Sequence, residues 1–184
     1  VFSPGDLKPN GKFHRLKVTL EGAAKSSKLT VQARRGYFAT ITIGGSAERE
    51  EEELADAVFS RSDLNSSRLR VGTRFFKSSE TEARVTVVAH LDTQGLTFRA
   101  ENGRHAADLT FVTVIFDNDG NFVQGFRKSL AMHLLDPTLA KVRAAGVSVP
   151  CEFKLAPGTY LVREVVRDET GTVSSTSNSM EIPY

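Results

Sequence analysis

Over residues 68–184, apolar and polar positions alternate with a period of two in one segment after another. Leu69, Val71, Thr73 and Phe75 share one face, as do Val85, Val87, Ala89 and Leu91. That period is the mark of a half-buried strand. Residues 109–116 are nearly continuous in apolar and β-branched side chains, which predicts a central strand. Val147, Val149, Cys151 and Phe153 line one face of the next strand, and residues 159–168 and 173–182 close the set. Asp117-Asn-Asp-Gly120 predicts a type I′ hairpin turn into residues 121–135, with a bulge near Gly125. Gln94-Gly95 predicts a hairpin turn leading into Leu96 and Phe98. Leu155-Ala-Pro-Gly-Thr-Tyr160 adds a Pro-Gly corner with an aromatic opening the strand. Tyr160 then sits where a β-sandwich places a corner tyrosine, its ring in the core and its hydroxyl on nearby backbone. About seven short strands with regular turns predict a mainly β, immunoglobulin/fibronectin-like antiparallel β-sandwich.

Ahead of the sandwich the pattern changes. Phe13, Leu16, Val18 and Leu20 mark one strand and Leu29, Val31 and Ala33 a second, which predicts a hairpin over residues 1–45. Such a hairpin is marginal on its own. Ser46 as N-cap, the run Glu48, Glu50–Glu53 and the stripe Leu54, Ala57, Val58 predict a short acidic helix, with linker, over residues 46–67. The acidic run reads as a solvated helix start. Asp136 as cap, Pro137 at the first helical position and Gly146 as terminator predict a second helix.

Composition bounds the function. The chain has 184 residues, 12 Phe, no Trp and a net charge of +2. Its Lys and Arg are scattered along strands rather than clustered, which argues against nucleic acid. No apolar run reaches the roughly 18 residues of a membrane span. Val1 is not a natural start, so the chain reads as an excised or processed piece. Cys151 stands alone, on an apolar face, and reads as a buried inert thiol.

Candidate chemistry is sparse. Asp117-Asn-Asp119-Gly120 would need Gly at position 122 and Glu at 128 to be a calcium loop; Phe122 and Lys128 stand there. His14, His90, His105 and His133 lack metal-ligand spacing. Ser174-Ser-Thr-Ser177 and Ser78-Ser79 lack a Gly-x-Ser-x-Gly elbow, Gly44-Gly45 lacks a Lys-Ser/Thr sequel, and Asp168-Glu169 diverge in a turn. The sequence predicts no enzyme, no metal and no cofactor. A sugar platform of exposed aromatics is the alternative, and the absence of Trp weighs against it.

A family resemblance gathers these pieces. Gly11-Lys-Phe-His-Arg-Leu-Lys-Val18 and Leu29-Thr-Val-Gln-Ala-Arg-Arg-Gly-Tyr-Phe38, with the Leu-x-Pro-Gly-x-Tyr motif and the Arg167-Asp168-Glu-Thr-Gly171 turn, resemble a bacterial von Willebrand factor A-related protein. The resembling part is the end of its A-type domain and the immunoglobulin-like sandwich that follows. It implies residues 1–45 as closing strands, 46–67 as acidic helix and linker, and 68–184 as sandwich. The adhesion-site motif of A-type domains, Asp-x-Ser-x-Ser, is missing: Asp63-Leu-Asn65-Ser-Ser67 carries Asn at the second ligand position and follows a helix. The resemblance therefore implies a non-catalytic module of a secreted or cell-envelope protein. Its role would be that of a spacer or protein-interaction domain, with a carbohydrate-binding module as the alternative. The orphaned hairpin would add to the sandwich edge or pair with a second copy as a homodimer.

Overall fold

The computed structural model describes residues 13–15, 36–38, 46–60, 62–65 and 68–184. They belong to two compact units, 1–52 and 53–184. In the first, β1 (Phe13–Arg15) pairs antiparallel with β2 (Gly36–Phe38), with Phe13 opposite Phe38. The strand positions expected at Leu16–Leu20 and Leu29–Ala33 lie outside the described residues. Helix α1 (Ser46–Phe59) carries the acidic run and crosses from one unit to the other.

The second unit is an antiparallel sandwich of the immunoglobulin/fibronectin type. One sheet holds β3 (Leu69–Lys77), β4 (Ala83–Leu91) and β8 (Val147–Leu155) in the order β3-β4-β8. The other is built on β6 (Arg104–Asp117), β9 (Gly158–Asp168) and β10 (Val173–Ile182). In it β10 pairs with β9, and β9 with β6 through Leu109–Asp117. On the opposite side of β6 lies β7 (Phe122–Leu134). The short β5 (Arg99–Glu101) pairs with the first residues of β6, 104–106. Helix α2 (Asp136–Ala145) carries the chain from β7 back to β8 and buries none of its side chains.

Side-chain parity divides the core. Along β9, Tyr160, Val162 and Val166 face the opposite sheet, and Val165 faces outward under α1. Two apolar clusters fill the space between the sheets, one around Val85, Val87, Ile115 and Phe153, the other around Leu69, Ala89, Leu109 and Phe111. A third forms where Leu54, Ala57 and Val58 of α1 cover Val114, Phe116 and Val165. There Phe59 meets Phe116 edge-on at 6.0 Å. Both faces of β9 are therefore buried over residues 163–166, while Leu161, nearer its start, is exposed.

The corner tyrosine stands where the sequence placed it. Tyr160 is buried, and its hydroxyl donates to the Ala156 carbonyl at 2.9 Å. Gly158 supplies the positive φ, +154°. Burial, then the nearby Tyr184 and Asp117, raise the phenol above its ordinary pKa. Tyr160→Phe should lower stability by about 1 kcal/mol, or roughly 2–4 °C in the melt; an unchanged melting temperature would sink the corner's structural role.

Three local expectations change. The Asp117 turn is not type I′, because Asn118 and Asp119 keep negative φ and Gly120 alone is positive, at +78°. The carboxylate of Asp117 closes it instead, accepting the amides of Asp119 (2.9 Å) and Asn121 (2.8 Å). The Asp168 turn repeats this device, with the Asp168 carboxylate on the amides of Thr170 and Thr172 and Gly171 at +86°. The type I′ turn sits instead at Asn102-Gly103, both at positive φ, between paired Glu101 and Arg104. Second, Gln94-Gly95 turns within the crossover between sheets, and Leu96 plugs the core from a loop rather than from a strand. Third, Asp136 does not cap α2: Leu135 holds the cap position without a side-chain bond, and the Asp136 carboxylate takes His105 at 2.7 Å. The expected bulge is present, with Val123 as the extra residue opposite the Ile115/Phe116 step.

Candidate functional site

The polar residues of β9 are the unexpected feature of this fold. Glu164 lies opposite Thr113 of β6 in the sheet register and points between the sheets, where it is fully buried. Thr113 Oγ1 donates to Glu164 Oε2 at 2.6 Å, while Oε1 has no hydrogen-bond partner. The Cys151 thiol, from β8, lies 3.5 Å from Thr113 Oγ1 and 3.7 Å from the Val87 carbonyl. These three groups form a polar seam between the two inter-sheet clusters. Desolvation pushes the Glu164 carboxyl up to about 8, against the lowering effect of the Thr113 bond. Burial also raises the Cys151 thiol, against the lowering effect of its bond to Thr113. At neutral pH both groups hold their protons.

Arg163, the next residue, points the opposite way and is equally buried. Its Nε and Nη2 donate to the Ala57 carbonyl at 3.2 and 3.1 Å. Nη2 also reaches the Ser62 carbonyl (2.8 Å) and Ser175 Oγ (3.0 Å), and Nη1 reaches Ser177 Oγ (2.7 Å) and the Asp63 carboxylate. Every guanidinium nitrogen is thus engaged. Helix α1 has no basic residue in its last turn, so Arg163 supplies the cation that its C-terminal carbonyls and dipole favour. A second tie joins Arg167 Nε to Glu53 at 2.8 Å.

The segment 62–65 is strapped to β10. Leu64 exchanges bonds with Ser175 through its amide (2.9 Å, to Oγ) and its carbonyl (2.7 Å, from the Ser175 amide), and Asn65 donates to the Val173 carbonyl at 2.9 Å. The Asp63 carboxylate belongs to Arg163 and Ser177. Ser66 and Ser67 lie outside the described residues.

The histidines remain apart. His90 bonds Ser148 at 2.9 Å, His105 bonds Asp136, and His133 stands 4.0 Å from Glu101. His14 lies in β1. Among the described residues no three His, Cys, Asp or Glu side chains gather as a metal site would need. No described helix is long and apolar enough to cross a membrane.

Sequence reasoning foresaw Cys151 as buried but missed Arg163 and Glu164. A signal existed. Val162, Val165 and Val166 break the period-two pattern, which means that both faces of the strand are buried and that Arg163 and Glu164 could not both reach water.

No family model matches the chain, and no curated protein matches it. Solved structures do. A β-glucuronidase of glycoside hydrolase family 2 aligns at 21% identity over 61% of this chain and 11% of its own, with a TM-score of 0.39. Bacteroides uniformis β-glucuronidase aligns at 17% over 64% and 13%, with 0.39. A glycosyl hydrolase family 2 member from Bacteroides cellulosilyticus aligns at 15% over 61% and 14%, with 0.42. The chain thus spans only a small part of each of these three proteins.

Proposed function

We propose that this chain is a non-catalytic β-sandwich module that serves its parent protein as a spacer or protein-interaction domain. One observation carries the reading: the groups best suited to chemistry are enclosed or engaged. Glu164 is 0% exposed and Cys151 6%, and all of Arg163's nitrogens hold α1 and segment 62–65 in place. An acid or nucleophile that no substrate can reach serves the fold. From the family resemblance we further propose that residues 1–45 close an A-type domain in a secreted or cell-envelope protein and can pair two copies.

The test is a turnover assay on chromogenic esters, amides and glycosides. No rate above buffer is expected. Turnover abolished by Glu164→Gln or Cys151→Ala would overturn the non-catalytic reading. Light scattering on the chain with and without residues 1–43 tests the pairing, with a dimer expected to become monomeric.

Carbohydrate binding is the second reading, and one residue favours it. Phe76, at the outward-facing end of β3, is 74% exposed, an aromatic of the kind a sugar ring stacks upon.

A further inference from the structure

The outer face of the β3-β4-β8 sheet is uncovered among the described residues. Its rows follow from the register: Phe76, Arg84 and Lys154; Arg74, Thr86 and Glu152; Gly72, Val88 and Pro150; Arg70, His90 and Ser148. Gly72 has open space where a Cβ would stand, so the third row is low and smooth. Arg70, Arg74 and Arg84 are exposed, and none has a hydrogen-bond or ion-pair partner among the described residues. Four cationic side chains, Arg70, Arg74, Arg84 and Lys154, therefore share this face with two carboxylates, Glu152 and Glu82, the second of them paired with Lys154 at 3.3 Å. Phe76 stands directly opposite Arg84, about 5 Å across the pair, and about 7 Å along the strand from Arg74. The outward parity of Phe76 is fixed by the register, since Phe75 and Lys77 take the inward positions.

We propose that this face binds a polysaccharide bearing carboxylates, of the uronic-acid class. One sugar ring lies on Phe76, and the carboxylates beside it pair with Arg74 and Arg84. The proposal rests on the carbohydrate-binding reading above and names its ligand. The phenyl ring offers an apolar surface to the C–H face of a sugar. The two free guanidinium forks match carboxylates bidentately. Thr86 and Glu152 in the next row supply a hydroxyl and an acceptor for sugar hydroxyls. One feature weighs against nucleic acid: a single ring gives no track on which successive bases could stack.

The experiment is affinity electrophoresis of the full chain through gels containing alginate, with dextran, polyglutamate and oligo(dT) as comparisons. Alginate should retard the protein and dextran should not. The Arg74→Ala/Arg84→Ala pair should weaken retardation about tenfold or more, as loss of two charge-assisted forks predicts. Phe76→Ala should weaken retardation by alginate and leave that by polyglutamate unchanged, because only the sugar uses the ring. All three positions are exposed, and circular dichroism would verify that the variants are folded. The proposal fails if alginate does not retard the wild type, or if its effect survives the double substitution. It fails equally if polyglutamate or oligo(dT) is bound more tightly. New reducing ends in the alginate would overturn the non-catalytic reading and leave the binding face standing.

Discussion

Arg163→Met should destabilise the sandwich by about 3 kcal/mol or more, the cost typical of removing one partner from a buried charged network. The change leaves the Ala57 and Ser62 carbonyls, Ser175, Ser177 and the Asp63 carboxylate without their common donor. In a chain of this size that lowers the melting temperature by roughly 10 °C. The damage should be directional. With its C-terminal tie gone, α1 loosens first, exposing Val114, Phe116 and Val165, so protease cleavage should appear near residues 60–65 before the strands unfold. Arg163→Lys should recover little, because an ammonium cannot reach partners spread over five N–H directions. Asp63→Asn should cost much less, since Asp63 sits at the rim with its side chain 36% exposed. A melt unchanged in Arg163→Met would remove Arg163 as the anchor of α1.

Glu164→Gln should abolish most of the alkaline loss of stability. The folded carboxyl, at about 8, lies above its ordinary 4.5, so between those values the folded chain holds a proton that the unfolded chain releases. Stability from this group is full below about pH 4.5, falls as pH rises, and is gone once pH passes the folded value. Each pH unit inside the window costs about 1.4 kcal/mol, and the whole window several kcal/mol. Glutamine keeps the shape and the acceptor for Thr113 while carrying no charge. The variant should match the wild type at pH 4 and exceed it by on the order of 3 kcal/mol at pH 9. Denaturant melts at pH 4, 6, 7.5 and 9 measure this; parallel curves for the two proteins would contradict a buried, protonated Glu164.

What the sequence made legible was what is local or periodic. Alternation located β3, β4 and β8, and the Pro-Gly corner located Tyr160, because both signals rest on backbone preferences of a few adjacent residues. Turn chemistry was harder to read. Asp117-Asn-Asp-Gly120 and Asn102-Gly103 both favour positive φ, and only the geometry of the flanking strands decides which turn adopts it at both central residues. Asp136 failed as a cap because a tertiary partner, His105, draws its carboxylate away. The β9 pair was hidden for a similar reason. Whether a charged strand residue faces water or a helix depends on where α1 lands, and α1 lies about a hundred residues earlier in the chain.

The central claim is that the chemistry-bearing groups of the core serve the fold and are closed to solvent. Reaction of Cys151 with a small thiol reagent in native buffer tests it most directly, since Cys151 is the sole thiol and shares the seam with Thr113 and Glu164. The account predicts labelling only through global unfolding: negligible reaction over hours in buffer, with a rate that climbs with denaturant as steeply as the unfolding equilibrium does. Labelling within minutes in buffer, independent of denaturant, would show an open path to the seam and contradict the account.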